Sequence, residues 1–293
     1  MVGEVLGEAE MQFGAESPYT YIDDHQVIAP LKYRRPRLNP CLVATVAAAA
    51  LLVCAGPGRV CTWGATLMAT VMGGASHGHT ARNESSVVHS FILLDSTGSM
   101  ESLRDATVKG FDSYISEQKG VPGAMKLTLV TFNSCQPFEL KLDAVDIHAV
   151  DSYKVLADYR PDCTTPLYDA MAQTIDHAAR VAEGEKDVIV VVMTDGAENA
   201  SKEQSRASVA AKVDEMKKRH GWSFVFLGAN QDSFLTGGAM GVAKEATANW
   251  KATAQGASMG WNSLSSAYTS SRFARRSMPH SASLAQRSAA FKF

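Results

Sequence analysis

The stretch Val188–Met193 reads VIVVVM, six apolar residues of which five are β-branched. No face of such a run tolerates water, so it suits a strand covered on both sides, as inside a parallel sheet. Parallel neighbours need long crossover connections, usually helices, and the flanking sequence supplies helical patterns. Leu167–Val181 precedes the run, and Lys202–His220, charged and amphipathic, follows it. Val87–Leu94 and Trp222–Leu227 are further buried-strand runs. Met100–Lys119 carries apolar residues at helical spacing through Leu103, Val108, Phe111, Tyr114 and Ile115. Met125–Phe132 and Phe138–Ile147 read as neighbouring strands, with hairpin chemistry in Asn133–Pro137 between them. Ala257–Ser271 reads as a last helix. Strands alternating with helices predict an α/β fold: a doubly wound, mostly parallel, Rossmann-like sheet flanked by helices.

The regular pattern begins at Val87 and divides the 293 residues into three parts. Residues 1–86 read as a poorly structured N-terminal extension, 87–271 as the folded domain, and 272–293 as a basic, disordered Ser-, Ala- and Arg-rich tail in which Arg272, Arg275 and Arg276 are solvated. Net charge is −1 over residues 1–85, −6 over 86–271 and +5 over 272–293. An acidic body argues against a dedicated nucleic-acid binder, which shows a basic patch or stripe. Residues 41–55 are wholly apolar or small and follow Lys32, Arg34, Arg35 and Arg37. Basic residues before an apolar run look like a signal or an anchor. This run is shorter than the roughly 20 residues that span a bilayer, and extending it to 38–56 takes in Asn39 and Pro40. An anchor through 38–56, an internal signal-like segment and an Ala-rich extension all stay open. Residues 56–86 read as a linker, with His77, His79 and the nearby His89 solvated. The five cysteines, Cys41, Cys54, Cys61, Cys135 and Cys163, form no CxxC pair and no metal-finger spacing. They are expected to be reduced thiols in a cytoplasmic protein, with a Cys135–Cys163 disulfide left open.

Ligands of a doubly wound sheet bind at the carboxyl ends of its strands. Asp95-Ser96-Thr97-Gly98-Ser99 follows the first strand, Thr164-Thr165-Pro166-Leu167-Tyr168-Asp169 opens the helix at 167–181, and Thr194-Asp195-Gly196 follows the central strand. All three segments are expected on one edge. They offer two carboxylates and several hydroxyls, with no His or Cys in place. Hard oxygen donors suit Mg²⁺, Mn²⁺ or Ca²⁺ over zinc, and few carboxylates with small hydroxyls favour Mg²⁺ with retained waters. Ser99 also reads as a cap for the following helix, whose start would favour an incoming anion. Asp169 reads as structural and Cys163 as a small loop filler.

Together these segments resemble a von Willebrand factor type A domain with a metal-ion-dependent adhesion site. The family's Asp-x-Ser-x-Ser motif appears as Asp95-Ser96-Thr97-Gly98-Ser99, with Thr97 in the middle serine's place and the hydroxyl kept. The family's threonine matches Thr165, with Thr164 as the alternative register, and its last aspartate matches Asp195. Phe226–Asp232 resembles a bacterial and phage branch. The resemblance implies metal ligands Asp95, Thr97, Ser99, Thr165 and Asp195. It also implies an open coordination position for a partner's Asp or Glu, and a non-enzymatic adaptor role, with AAA-type ATPases among the partners. A membrane-anchored surface adhesin is the alternative in location. The enzyme alternative is a Mg²⁺-dependent phosphatase of the haloacid dehalogenase type. That type wants a second carboxylate two residues after the first, where this chain has Thr97. Gly256-Ala257-Ser258-Met259-Gly260 matches the hydrolase nucleophile pattern, but no strand pattern precedes it and no acidic residue follows Ser258.

Overall fold

The computed structural model describes residues 87–229, 232–279 and 281–293. The candidate anchor at 38–56 and the linker lie outside them. Among the described residues six strands form one sheet in the order β3-β2-β1-β4-β5-β6. They are β1 (Val88–Asp95), β2 (Met125–Phe132), β3 (Glu139–Asp146), β4 (Val188–Thr194), β5 (Ser223–Ala229) and β6 (Thr247–Trp250). Only β3 runs antiparallel, paired with β2; the other pairings are parallel. Every residue of β1 and β4 is buried, as the apolar run at 188–193 requires.

The main crossover helices are α1 (Arg104–Gly120), α3 (Leu167–Val181) and α4 (Arg206–His220), and α6 (Ala254–Ser277) closes the domain. Successive strand residues face opposite sides of a sheet. Ser90 bonds Tyr268 of α6 at 2.7 Å, whereas its neighbour Phe91 meets the ring of His177 on α3. α6 and α3 therefore cover opposite faces, and α1 joins α6 through the Phe111–Trp261 and Tyr114–Trp261 ring contacts. A Cβ at Gly110 would lie 2.2 Å from the Trp261 ring, so that contact needs a glycine. The chain moves outward from β1 through β2 to β3, returns beside β1 as β4, and continues outward to β6. The switch point lies between β1 and β4, and ligand crevices open at the carboxyl ends there.

Three expectations change. Residues 272–293 are not a disordered tail: α6 runs on to Ser277, α7 (Leu284–Ser288) follows, and Phe291 packs edge-on against Tyr268 at 5.2 Å. Arg272 and Arg275 are 2% and 3% exposed. Arg272 donates to the carbonyls of Gln118 in the last turn of α1 and of Val121 and Gly123 just after it, and Arg275 and Arg287 converge on the buried Asp187 at 2.8 and 3.1 Å. A polar composition suggested solvent, but these side chains bury against carbonyls and a carboxylate. The proposed boundary at 271 thus falls inside α6. α4 starts at Arg206, not Lys202, because the backbone N–H groups of Lys202, Glu203 and Gln204 donate to the Asp169 carboxylate. His89 lies inside β1 and is 3% exposed, so it is not solvated, and burial lowers its pKa. The short elements α2 (Ser152–Val155), α5 (Ser233–Ala239), β6 and α7 had no periodicity long enough to register. Among the described residues, no helix is long and apolar enough to cross a membrane.

Candidate metal centre

The β1–β4 switch point places Asp95 and Asp195 at neighbouring strand ends. Asp95 is the last residue of β1 and is fully buried; Asp195 follows β4 and is 6% exposed. The backbone N–H of Thr97 donates to Asp95 Oδ1 at 2.7 Å, and the Thr194 hydroxyl donates to Asp95 Oδ2 at 2.5 Å. Ser99 Oγ donates to Asp195 Oδ1 at 2.6 Å and lies 3.2 Å from Thr97 Oγ1. Thr165 is buried, and its hydroxyl lines the same space. A Cβ at Gly196 would lie 3.0 Å from Thr165 Oγ1 and 3.6 Å from Ser99 Oγ. The five residues Asp95, Thr97, Ser99, Thr165 and Asp195 thus meet around Gly196, with Ser99 exposed to solvent. Thr164, the alternative register, turns away, and its hydroxyl donates to the exposed Ser134 Oγ at 2.7 Å.

Burial holds the Asp95 carboxyl up at about 6, and the hydrogen bonds from Thr194 and Thr97 only partly offset it. Burial also raises Asp195, against the bond from Ser99. None of the ion pairs among the described residues involves either carboxylate. Two buried, adjacent carboxyl groups without a basic partner are an unfavourable arrangement that a divalent cation would relieve. Among the described residues no three His, Cys, Asp or Glu side chains gather as a metal cluster. Two carboxylates with three hydroxyls is instead the donor set of a small hard cation that keeps some water, so the residues present fit the ion.

No family model matches the sequence, and no curated protein matches it. Solved structures do align with it. One is a von Willebrand factor type A protein from Catenulispora acidiphila, at 9% identity and TM-score 0.48 over 63% of this chain and 43% of that one. Another is the SpRpn10 VWA domain, at 13% identity and TM-score 0.46 over 60% and 94%. A third is manganese-loaded Plasmodium vivax TRAP, at 16% identity and TM-score 0.43 over 63% and 72%. The chain spans less than half the length of the first of these.

Much of what shapes the site was not visible in the motifs. Tyr159, buried, donates its hydroxyl to the Asp95 carbonyl at 2.5 Å. Burial first, then the charges of Asp95 and Asp195, push that phenol well above its ordinary pKa. The Asn199 side chain accepts from Thr165 N at 2.8 Å, while Asn199 N and Ala200 N donate back to the Thr165 carbonyl. Asn133 bonds the Ser96 carbonyl through Nδ2 and closes its own turn by accepting from Cys135 N and Gln136 N. Asn199 stands in the Asp195–Asn199 segment, and its type, a side chain that mimics backbone, was the available signal. Tyr159 offered none.

Two local expectations are corrected. Ser99 does not cap a helix: α1 starts five residues later, and the Ser99 hydroxyl is committed to Asp195. The expected anion site at that helix start is therefore not formed by Ser99. Cys135 and Cys163 are not reduced thiols but a disulfide, with Cα atoms 6.1 Å apart. The loops after β2 and before α3 meet at the carboxyl edge, where Ser134 N donates to the Thr164 carbonyl at 2.8 Å. That proximity across 28 residues is invisible in linear spacing. Disulfides persist in oxidising compartments, so the thiols no longer argue for the cytoplasm.

Proposed function

We propose that residues 87–293 form a metal-dependent protein-binding module of the von Willebrand factor A type, not an enzyme. One divalent cation, Mg²⁺ ahead of Mn²⁺ or Ca²⁺, is held by the hydroxyls of Thr97, Ser99 and Thr165 and by Asp95 and Asp195, directly or through water. A remaining coordination position takes an Asp or Glu carboxylate from a partner protein, and the exposed Ser99 marks the open side. The bound ion supplies a concentrated positive charge that a partner carboxylate can complete. The observation that carries this reading is the pair of buried, unpaired carboxyl groups at the switch point, ringed by three hydroxyls. Ca²⁺ prefers 6–8 oxygens and more carboxylates, whereas Mg²⁺ accepts few protein ligands and keeps water. An AAA-type ATPase is the first partner class to test. Isothermal titration of Mg²⁺ into the metal-free protein should give saturable binding that Thr165→Ala removes. Equal heats for the two proteins, or none for either, would rule out a working metal site.

A further inference from the structure

The Cys135–Cys163 disulfide stands at the rim of the metal centre, and nothing in the metal chemistry requires it. Cys135 is exposed and Cys163 half-buried, so a reductant in solution reaches the bond. Cys163 has φ 65°, a left-handed conformation that residues with a Cβ adopt rarely. In that conformation its carbonyl accepts from Gly98 N at 3.0 Å, which ties it to the Asp95–Ser99 loop. Its chain neighbour Asp162 donates from its N–H to the Ser96 carbonyl at 2.9 Å. Thr165 follows two residues later, buried beside Gly196. The disulfide therefore fixes a disfavoured backbone at the point where one ligand loop is hydrogen-bonded to the other. Besides the disulfide, the two loops share the bond from Ser134 N to the Thr164 carbonyl and the links from Thr164 N and Oγ1 to Ser134 Oγ, all made by residues exposed to competing water.

We propose that this disulfide is a redox clamp on the metal centre: reduction by a dithiol frees Cys163, slackens residues 162–165 and weakens cation binding. A dithiol thiolate attacks the exposed Cys135 sulfur, the S–S bond breaks, and Cys163 leaves as a thiolate that takes up a proton. The second thiol of the reductant then attacks the mixed disulfide, loses its proton, and releases Cys135 as a thiol. Two electrons pass from dithiol to protein, and the reductant ends as a cyclic disulfide. Freed, Cys163 relaxes out of the left-handed region, its carbonyl turns away from Gly98 N, and Thr165, still bonded to Asn199 and Ala200, loses its support on the Cys163 side. This regulation rests on the metal reading above.

The test compares oxidised protein, protein treated with dithiothreitol, and the Cys135→Ser/Cys163→Ser double variant. Alkylation and peptide mapping report the state of the two cysteines, and circular dichroism checks that each form is folded. Amide hydrogen exchange across 162–166, measured in EDTA, should speed up on reduction without any metal present. Mg²⁺ affinity should fall about tenfold, the equivalent of roughly 1.4 kcal/mol. The double variant should match the reduced protein under either condition. Oxidised protein that binds Mg²⁺ with an affinity and loop exchange unchanged by reduction overturns the clamp alone. Oxidised protein that binds no Mg²⁺ overturns the metal reading and the clamp with it.

Discussion

Replacing Asp95 with asparagine should strengthen the metal-free domain and abolish its response to magnesium. Burial holds this carboxyl at about 6 against an ordinary 3.8. At about 1.4 kcal/mol per pKa unit, keeping the carboxylate charged at pH 7 costs the fold on the order of 3 kcal/mol. Because the folded pKa is the raised one, the favourable contribution is complete below about 4 and is lost as pH rises through about 6. Asparagine removes the buried charge and keeps most of the contacts. Its carbonyl can accept from Thr97 N, as Oδ1 does at 2.7 Å. The Thr194 hydroxyl, which now donates to Oδ2, can turn to the Gly196 carbonyl at 3.1 Å and accept from the new amide. Exchanging a charge-assisted bond for a neutral one costs about 1 kcal/mol, leaving a net gain of roughly 1–2 kcal/mol. Urea denaturation at pH 7, in EDTA and in excess MgCl₂, measures both halves. Wild type should gain stability with Mg²⁺ by mass action, and the variant should start higher and not move. At pH 5 the variant's advantage in EDTA should shrink by about 1 kcal/mol. A variant less stable than wild type in EDTA by about 1 kcal/mol or more, or one still stabilised by Mg²⁺, refutes the reasoning.

Mg²⁺ affinity should fall about tenfold between pH 7 and pH 5, because protons compete for a carboxyl that titrates near 6; calorimetry across that range checks it. Asp187→Ala should cost about 3–5 kcal/mol in urea, since it strands the buried Arg275 and Arg287. Limited proteolysis should then cut within the C-terminal segment first. Gly196→Ala should weaken Mg²⁺ about tenfold while changing stability by only about 0.5 kcal/mol, because the added methyl meets the Thr165 hydroxyl at 3.0 Å. A calorimetric affinity equal to wild type would mean that Thr165 is not a ligand.

What could be read from the sequence was what depends on period and on residue type immediately after a strand. VIVVVM could only be a covered strand, and β4 is buried throughout. The helix expected at Leu167–Val181 has those bounds in the structure. Asp95 and Asp195 were expected at one edge because each stands at the carboxyl end of a strand in an alternating α/β pattern; that their strands are neighbours flanking the switch point came from the structure. What stayed hidden depends on partners distant in sequence. Arg272, Arg275 and Arg287 looked like a solvated basic tail because their counterparts, Asp187 and the carbonyls at the end of α1, lie 88 to 154 residues away. The Cys135–Cys163 disulfide, left open beside the expected reduced thiols, could not be decided from spacing for the same reason.

The carboxylates near the candidate site also separate by what they accept, which divides those spent on the fold from those left to serve as proposed ligands. Asp169 collects backbone N–H groups from Lys202, Glu203 and Gln204. Glu198 collects those of Tyr168, Ala200 and Ser201, and also the Ser201 hydroxyl. Both are spent on folding the loop that carries Asn199 against Thr165. Asp95 takes one N–H and one hydroxyl, and Asp195 takes the Ser99 hydroxyl. A buried carboxylate with so few donors is poorly compensated. The loop thus uses one pair of acids to hold its shape and leaves the other pair with lone pairs to spare. Because Asp169 and Glu198 are already engaged by backbone N–H groups, the buried carboxylates with lone pairs to offer a cation under the proposed reading would be Asp95 and Asp195, with the three hydroxyls around Gly196 completing the donor set.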